Sequence, residues 1–184
     1  FNGVVTELIR QYRQQYPDVE MTLSQGDSET LVAQLREGAI DAAFVRPPFA
    51  LDGGLTFTQL AEEPLVVALP LGHALARKKR LAPADLTQER FILYSRKSGY
   101  GLSADIMAAC RQHGLNPLIG QRAPQLSSAV NLVAAGMGVA VVPASLRHLR
   151  PDGVVYRPFA LDWPRAVLGL AVRQDRPGGK VENL

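Results

Sequence analysis

Cysteine occurs once in the 184 residues, at Cys110. A single thiol excludes an internal disulfide and any thiolate-rich zinc site. Beside alanines in a helical pattern, it reads as a small core residue rather than a nucleophile. Histidine is nearly as scarce. His73, His113 and His148 are scattered, and none has the spacing of a metal-binding helix. No G-x-S-x-G or G-x-G-x-x-G is present, and neither Asp41 nor Asp105 belongs to a paired-carboxylate motif. An enzyme is therefore not expected, and neither a cofactor nor a metal is implied. No apolar run approaches the ~18 residues that span a membrane. Phe1 opens directly into a helical pattern without a visible signal peptide, so the expected location is cytoplasmic, with no membrane partner. Charge of one sign is sparse: the net charge is +3. The one charge run, Arg77-Lys78-Lys79-Arg80, has no interleaved aromatics and reads as a solvated loop in preference to a phosphate-binding patch.

What is present is an α/β pattern in ordinary globular proportions. Val4, Val5, Leu8, Ile9 and Tyr12 mark a helix that ends before Pro17. Val19, Met21 and Leu23 alternate and predict a strand. Asp27 and Ser28 are N-cap candidates for a helix carrying Leu31, Val32 and Leu35, with Gly38 as its stop. Ile40 to Val45 predicts a strand, completing a strand–helix–strand unit of the kind that builds parallel sheets. Further strands are expected over residues 55–60, 65–69, 91–94, 118–122, 153–159 and 166–172. A short helical turn is expected over 83–86. A glycine-broken loop, Ser98 to Ser103, precedes a helix over 104–113 that stops at Gly114. The tail from Pro177 reads as the start of another helix. The stretch Leu126 to Ser145 reads as a helix, a turn at Gly136 and Gly138, and a buried strand over 139–142 closed by Pro143.

Some segments carry more than a pattern. LVAAGMGVAVVPAS, within the stretch just described, resembles the effector-binding domain of LysR-type transcriptional regulators. So do the YPDV at Tyr16 to Val19, SETLVAQLREGAIDAAFV at Ser28 to Val45, the EPLVV from Glu63, and GHALA at Gly72 to Ala76. The resemblance covers nearly the whole chain. It implies an α/β fold of two Rossmann-like lobes joined by two crossovers, like type 2 periplasmic binding proteins. Lobe I would hold residues 1–61 and 166–184, and lobe II residues 62–165. The family's winged helix-turn-helix, and the strand that normally precedes its first helix, are not in this sequence.

The resemblance also implies a function. A small carboxylate effector would bind between the lobes of a homodimeric or homotetrameric regulator, with DNA contacted only through the absent N-terminal domain. Ser28, at a helix N-terminus, caps the helix on local grounds, while the resemblance turns it toward the effector. Arg46, after a strand, is suited to gripping a carboxylate or forming a salt bridge. Gly101, Leu102 and Ser103 open the second-lobe helix, where glycines expose backbone amides. Leu102 and Leu168 resemble apolar contacts to aromatic effectors and are otherwise core. Gln125 and Ser127 could line the same cleft, the plain alternative being N-capping by Ser127 or Ser128. The second-lobe wording is similar to the branch that controls aromatic-compound degradation. Ala61 replaces an arginine that some of that branch use for a second pocket. The alternatives are a solute-binding protein of a transport system and an enzyme on the same fold.

Overall fold

A computed structural model describes residues 3–50, 52–94, 101–149 and 152–174. The chain divides into two compact units, one comprising Phe1–Glu62 and Val167–Leu184, the other Glu63–Ala166.

The first unit opens with helix α1 (Gly3–Gln15), which buries Val5 and Tyr12 on one face. The alternating segment after it is not a strand. Residues 19–23 run without a ladder, and Leu23 is 57% exposed. Alternation gives a strand only where a neighbouring edge accepts its hydrogen bonds, and none of the described strands does so. Helix α2 (Ser28–Glu37) follows. Asp27 is its N-cap, accepting from the Thr30 N–H, and Gly38 closes it at φ 77°. Val32 and Leu35 face a small core with Ala43, Val45, Leu55 and Ala171.

Strand β1 (Ala42–Val45) starts two residues later than its sequence pattern suggests. It runs antiparallel to the last described strand, Arg165–Arg173, from Ala42 opposite Val172 to Val45 opposite Gly169. The expected parallel unit over Val19 to Val45 is thus absent. The strands expected over 55–60 and 65–69 are one, β2 (Leu55–Pro70), which passes from the first unit into the second. Pro64 does not break it, because the ladder to the strand Ala140–Pro143 begins at Leu65, beyond the missing N–H.

In the second unit, β3 (Arg90–Tyr94) lies parallel to β4 (Leu118–Ala123), with helix α3 (Gly101–Gln112) between them in sequence. This is a βαβ unit, with the parallel pairing that such a crossover gives. Helix α3 begins at Gly101, so Gly101 to Ser103 belong to its first turn and not to a loop. The rest of the predicted loop, 98–100, and the tail from Pro177 lie outside the described residues.

Helix α4 (Leu126–Ala134) and strand β5 (Ala140–Pro143) form as the pattern requires. Gly136 has φ 75° and Gly138 φ 147°. Gly138 has a second reason to be glycine: a Cβ there would collide with the Arg90 carbonyl oxygen. That carbonyl accepts the Val139 N–H at 2.8 Å, and Val139 in turn accepts from Ile92 at 2.8 Å. Strand β5 pairs antiparallel with β2, as does β6 (Val154–Pro158). The Arg165–Arg173 strand is β7, and the five-stranded sheet runs β1-β7-β2-β5 with β6 also on β2. The second unit's core is dense. Phe91, Ile106, Cys110, Val130, Val133 and Val141 are among its buried side chains. Trp163 closes one side, stacked on Phe159 at 3.9 Å and on His113 at 4.9 Å.

Candidate functional site

Three of the sequence-predicted residues, Ser28, Arg46 and Leu168, lie in the first unit, and two of them are in contact. Asp27 takes the capping role, so the Ser28 hydroxyl is released from it. Its Oγ accepts the backbone N–H of Arg46 at 3.0 Å. This corrects the local expectation that Ser28 caps α2: the carboxylate one residue earlier is the stronger acceptor for the Thr30 N–H. The bond ties the N-terminus of α2 to the end of β1. Arg46, half-buried there, directs its guanidinium toward the Val167 carbonyl at 3.4 Å, a long contact. Leu168, next along β7, is 6% exposed.

The electrostatics of this corner are mixed. The first turn of α2 presents unpaired amides and the positive end of the helix dipole, which favour an anion. Asp27 already satisfies part of that demand. Arg46 restores positive charge on the other side of Ser28, and its planar fork suits a carboxylate. A helix N-terminus and a guanidinium are both chemically suited to a carboxylate.

The second-unit residues have different settings. Leu102 is 5% exposed and packs in the core beside Ile106. Gly101 starts α3 at φ 63°, and Ser103 is half-buried in the same turn. Gln125 is the N-cap of α4 but makes no side-chain capping bond. Ser127 and Ser128 lie inside the helix, so neither is the N-cap. Gln125 takes that position because its backbone is extended at φ −147° and the helix begins immediately after it.

Cys110, His73 and His113 sit in local structural contacts. Burial pushes the Cys110 thiol up to about 11, which keeps it protonated and inert. His73 accepts from the Leu75 N–H and lies 3.3 Å from Glu89. His113 Nδ1 is 2.9 Å from the Ala109 carbonyl. Among the described residues no three His, Cys, Asp or Glu side chains are grouped to hold a metal. One polar pair was invisible in the sequence. Glu63 accepts from the Ser145 N–H at 2.7 Å and from its hydroxyl at 3.1 Å, pinning the turn after β5. Eighty-two positions separate the two residues, so no local spacing announces the pair.

The model of the LysR substrate binding domain matches residues 2–184. The HTH-type transcriptional regulator CatR of Pseudomonas putida is 37% identical over 156 residues, covering 83% of this chain and 52% of CatR. The chain spans about half the length of the curated relatives it matches. Among solved structures, the effector-binding domain of a BenM variant gives a TM-score of 0.84 at 29% identity, covering 98% of this chain and 84% of that one. The BenM domain has also been solved with its effector benzoate, at a TM-score of 0.80 and 29% identity, covering 97% of this chain and 81% of that one. The QuiR effector-binding domain in complex with shikimate gives a TM-score of 0.84 at 20% identity, covering 95% of this chain and 83% of that one. That likeness speaks to the fold, which is of the type 2 periplasmic-binding-protein kind.

Proposed function

Because the chain belongs to the family of LysR substrate-binding domains, we propose that it senses a small organic anion on behalf of a transcriptional regulator. An aromatic-acid catabolite is the class proposed first, since BenM at 29% identity has been solved with benzoate as its effector. The curated relatives are transcriptional regulators, which does not favour a transport protein or an enzyme.

The observation that carries the reading is the bond from the Arg46 N–H to Ser28 Oγ. It ties the backbone of Arg46 to the start of α2, and a guanidinium and helix-start amides are two complementary ways of meeting a carboxylate. Leu168, beside that corner on β7, is proposed as an apolar neighbour for a ring. The resemblance adds Gly101, Leu102, Ser103, Gln125 and Ser127 to the proposed set. Effector binding would shift a two-state equilibrium of the whole regulator, where couplings of about 1–3 kcal/mol are typical. The regulator is proposed to be a homodimer or homotetramer that meets DNA through a separate domain.

The test is a thermal-shift screen with benzoate, salicylate, cis,cis-muconate and simple dicarboxylates. An acid at about 100 times its Kd should add about 2.7 kcal/mol of stability. Arg46→Ala should abolish the rise without lowering the unliganded melting temperature by a comparable amount. If every acid leaves the melt unchanged, or if Arg46→Ala responds like the parent, the anion site is not at this corner.

A further inference from the structure

Charge is divided unevenly between the two units. Residues 63–166 carry thirteen Lys and Arg against six Asp and Glu, a net +7. The remainder carries seven against eleven, a net −4, so the modest whole-chain charge of +3 conceals the division. Such asymmetry points to a polyanionic partner for the basic part.

The basic unit has one dense focus, Arg77 to Arg80, and all four residues are exposed. Its backbone is held in place. The 3-10 turn Ala74–Arg77 starts it, and Arg157 donates to the Ala76 carbonyl at 2.6 Å and the Lys78 carbonyl at 2.7 Å. These bonds satisfy Arg157 with neutral acceptors, so its charge remains. Lys78 is spoken for: it pairs with Asp85 at 2.6 Å, which holds that carboxyl below its usual range. Among the described residues no acid pairs with Arg77, Lys79 or Arg80. Three exposed cations thus sit on a braced loop with no acid paired to them among the described residues.

We propose that Arg77, Lys79 and Arg80 form a docking surface for the phosphate backbone of duplex DNA, independent of sequence. This rests on reading the chain as part of a DNA-binding regulator. Duplex DNA offers about one negative charge per 1.7 Å of axis, a density that a mixed-charge protein surface does not match. No aromatic residue interleaves the run, so it lacks the stacking platforms that single strands need. The loop is neither a helix nor a strand long enough to enter a groove and read base edges. It would add affinity and hold position beside whatever domain reads the operator.

Fluorescence anisotropy with two labelled duplexes of unrelated sequence tests this, using the 184-residue chain at low salt without effector. Three phosphate contacts predict a log–log salt slope of about −2.7, or a roughly forty-fold loss between 50 and 200 mM salt. Both duplexes should bind alike. Arg77→Ala/Lys79→Ala/Arg80→Ala should lose most of the binding and flatten the slope. The charge-matched control Arg111→Ala/Arg122→Ala/Arg147→Ala should keep it, with thermal melts verifying that both variants fold. Absence of duplex binding, or equal loss in the two variants, overturns the proposal. Equal binding of a polyglutamate of matched charge overturns it in favour of an acidic protein partner. Because no effector is present, failure here is distinct from failure of effector sensing.

Discussion

Asp27 and Ser28 are adjacent, chemically similar as caps, and put to different uses. Asp27 closes the end of α2, while Ser28 reaches Arg46, eighteen positions away. Asp27→Ala is expected to cost about 1 kcal/mol in urea denaturation, the usual worth of a cap. Ser28→Ala removes an acceptor from a partly buried N–H and should cost about 1 kcal/mol as well. The two variants separate in the thermal-shift screen: Ser28→Ala should blunt the response to an effector acid, and Asp27→Ala should leave or enlarge it, since it removes a competing negative charge. At this scale the sequence was readable where chemistry is local. A cap, a stop at Gly38 and an inert thiol follow from neighbours in the chain. The Ser28 bond and the Glu63 to Ser145 pair join residues far apart in sequence, and no spacing encodes them.

Among the elements, the turn between α4 and β5 was legible as two glycines, and the structure gives each a separate cause. Gly136 needs only its left-handed backbone, with open space where a Cβ would stand. Gly138 needs the absence of a Cβ, because the Arg90 carbonyl occupies that space to receive the Val139 N–H. Gly136→Ala should therefore cost about 1 kcal/mol. Gly138→Ala should cost about 2–4 kcal/mol, combining backbone strain with displacement of the β3 edge. Urea midpoints of the two variants give the comparison, and equal losses would mean that the Arg90 contact is not decisive. The errors of pattern reading were also at this scale. Residues 19–23 alternate as a strand does but lack a partner edge among the described residues. Residues 55–60 and 65–69 read as two strands, although one strand runs from Leu55 to Pro70. Pairing decides strands, and pairing is non-local.

Over the whole chain, the α/β class and the family could be read from a few segments in register, because helix stops and buried runs are written locally. The unequal distribution of charge needed the division into units before it could be seen. Stability against pH is also a property of the whole chain. Burial holds the Cys110 proton until about 11, while an unfolded thiol releases it near 9. Between those values the folded state binds more protons than the unfolded one, so stability falls as pH rises from about 9 to 11. Tyr156, raised by burial and donating to the Leu146 carbonyl at 3.0 Å, acts with the same sign. Cys110→Ala should flatten the fall in melting temperature across this range, and a thiol reagent at pH 8 should label the parent only after unfolding.

Trp163 makes the molecule its own optical instrument. It is the only tryptophan, 7% exposed, lying within 6° of parallel to the Phe159 ring, with no acceptor for its indole N–H among the described residues. Red-edge excitation will therefore report on a single chromophore in a dry setting, and its emission should be blue-shifted and slow to meet collisional quenchers such as acrylamide. Three residues further on, after Pro164, the chain leaves the second unit. Any event that loosens that passage will register as a change of colour, with no dye attached.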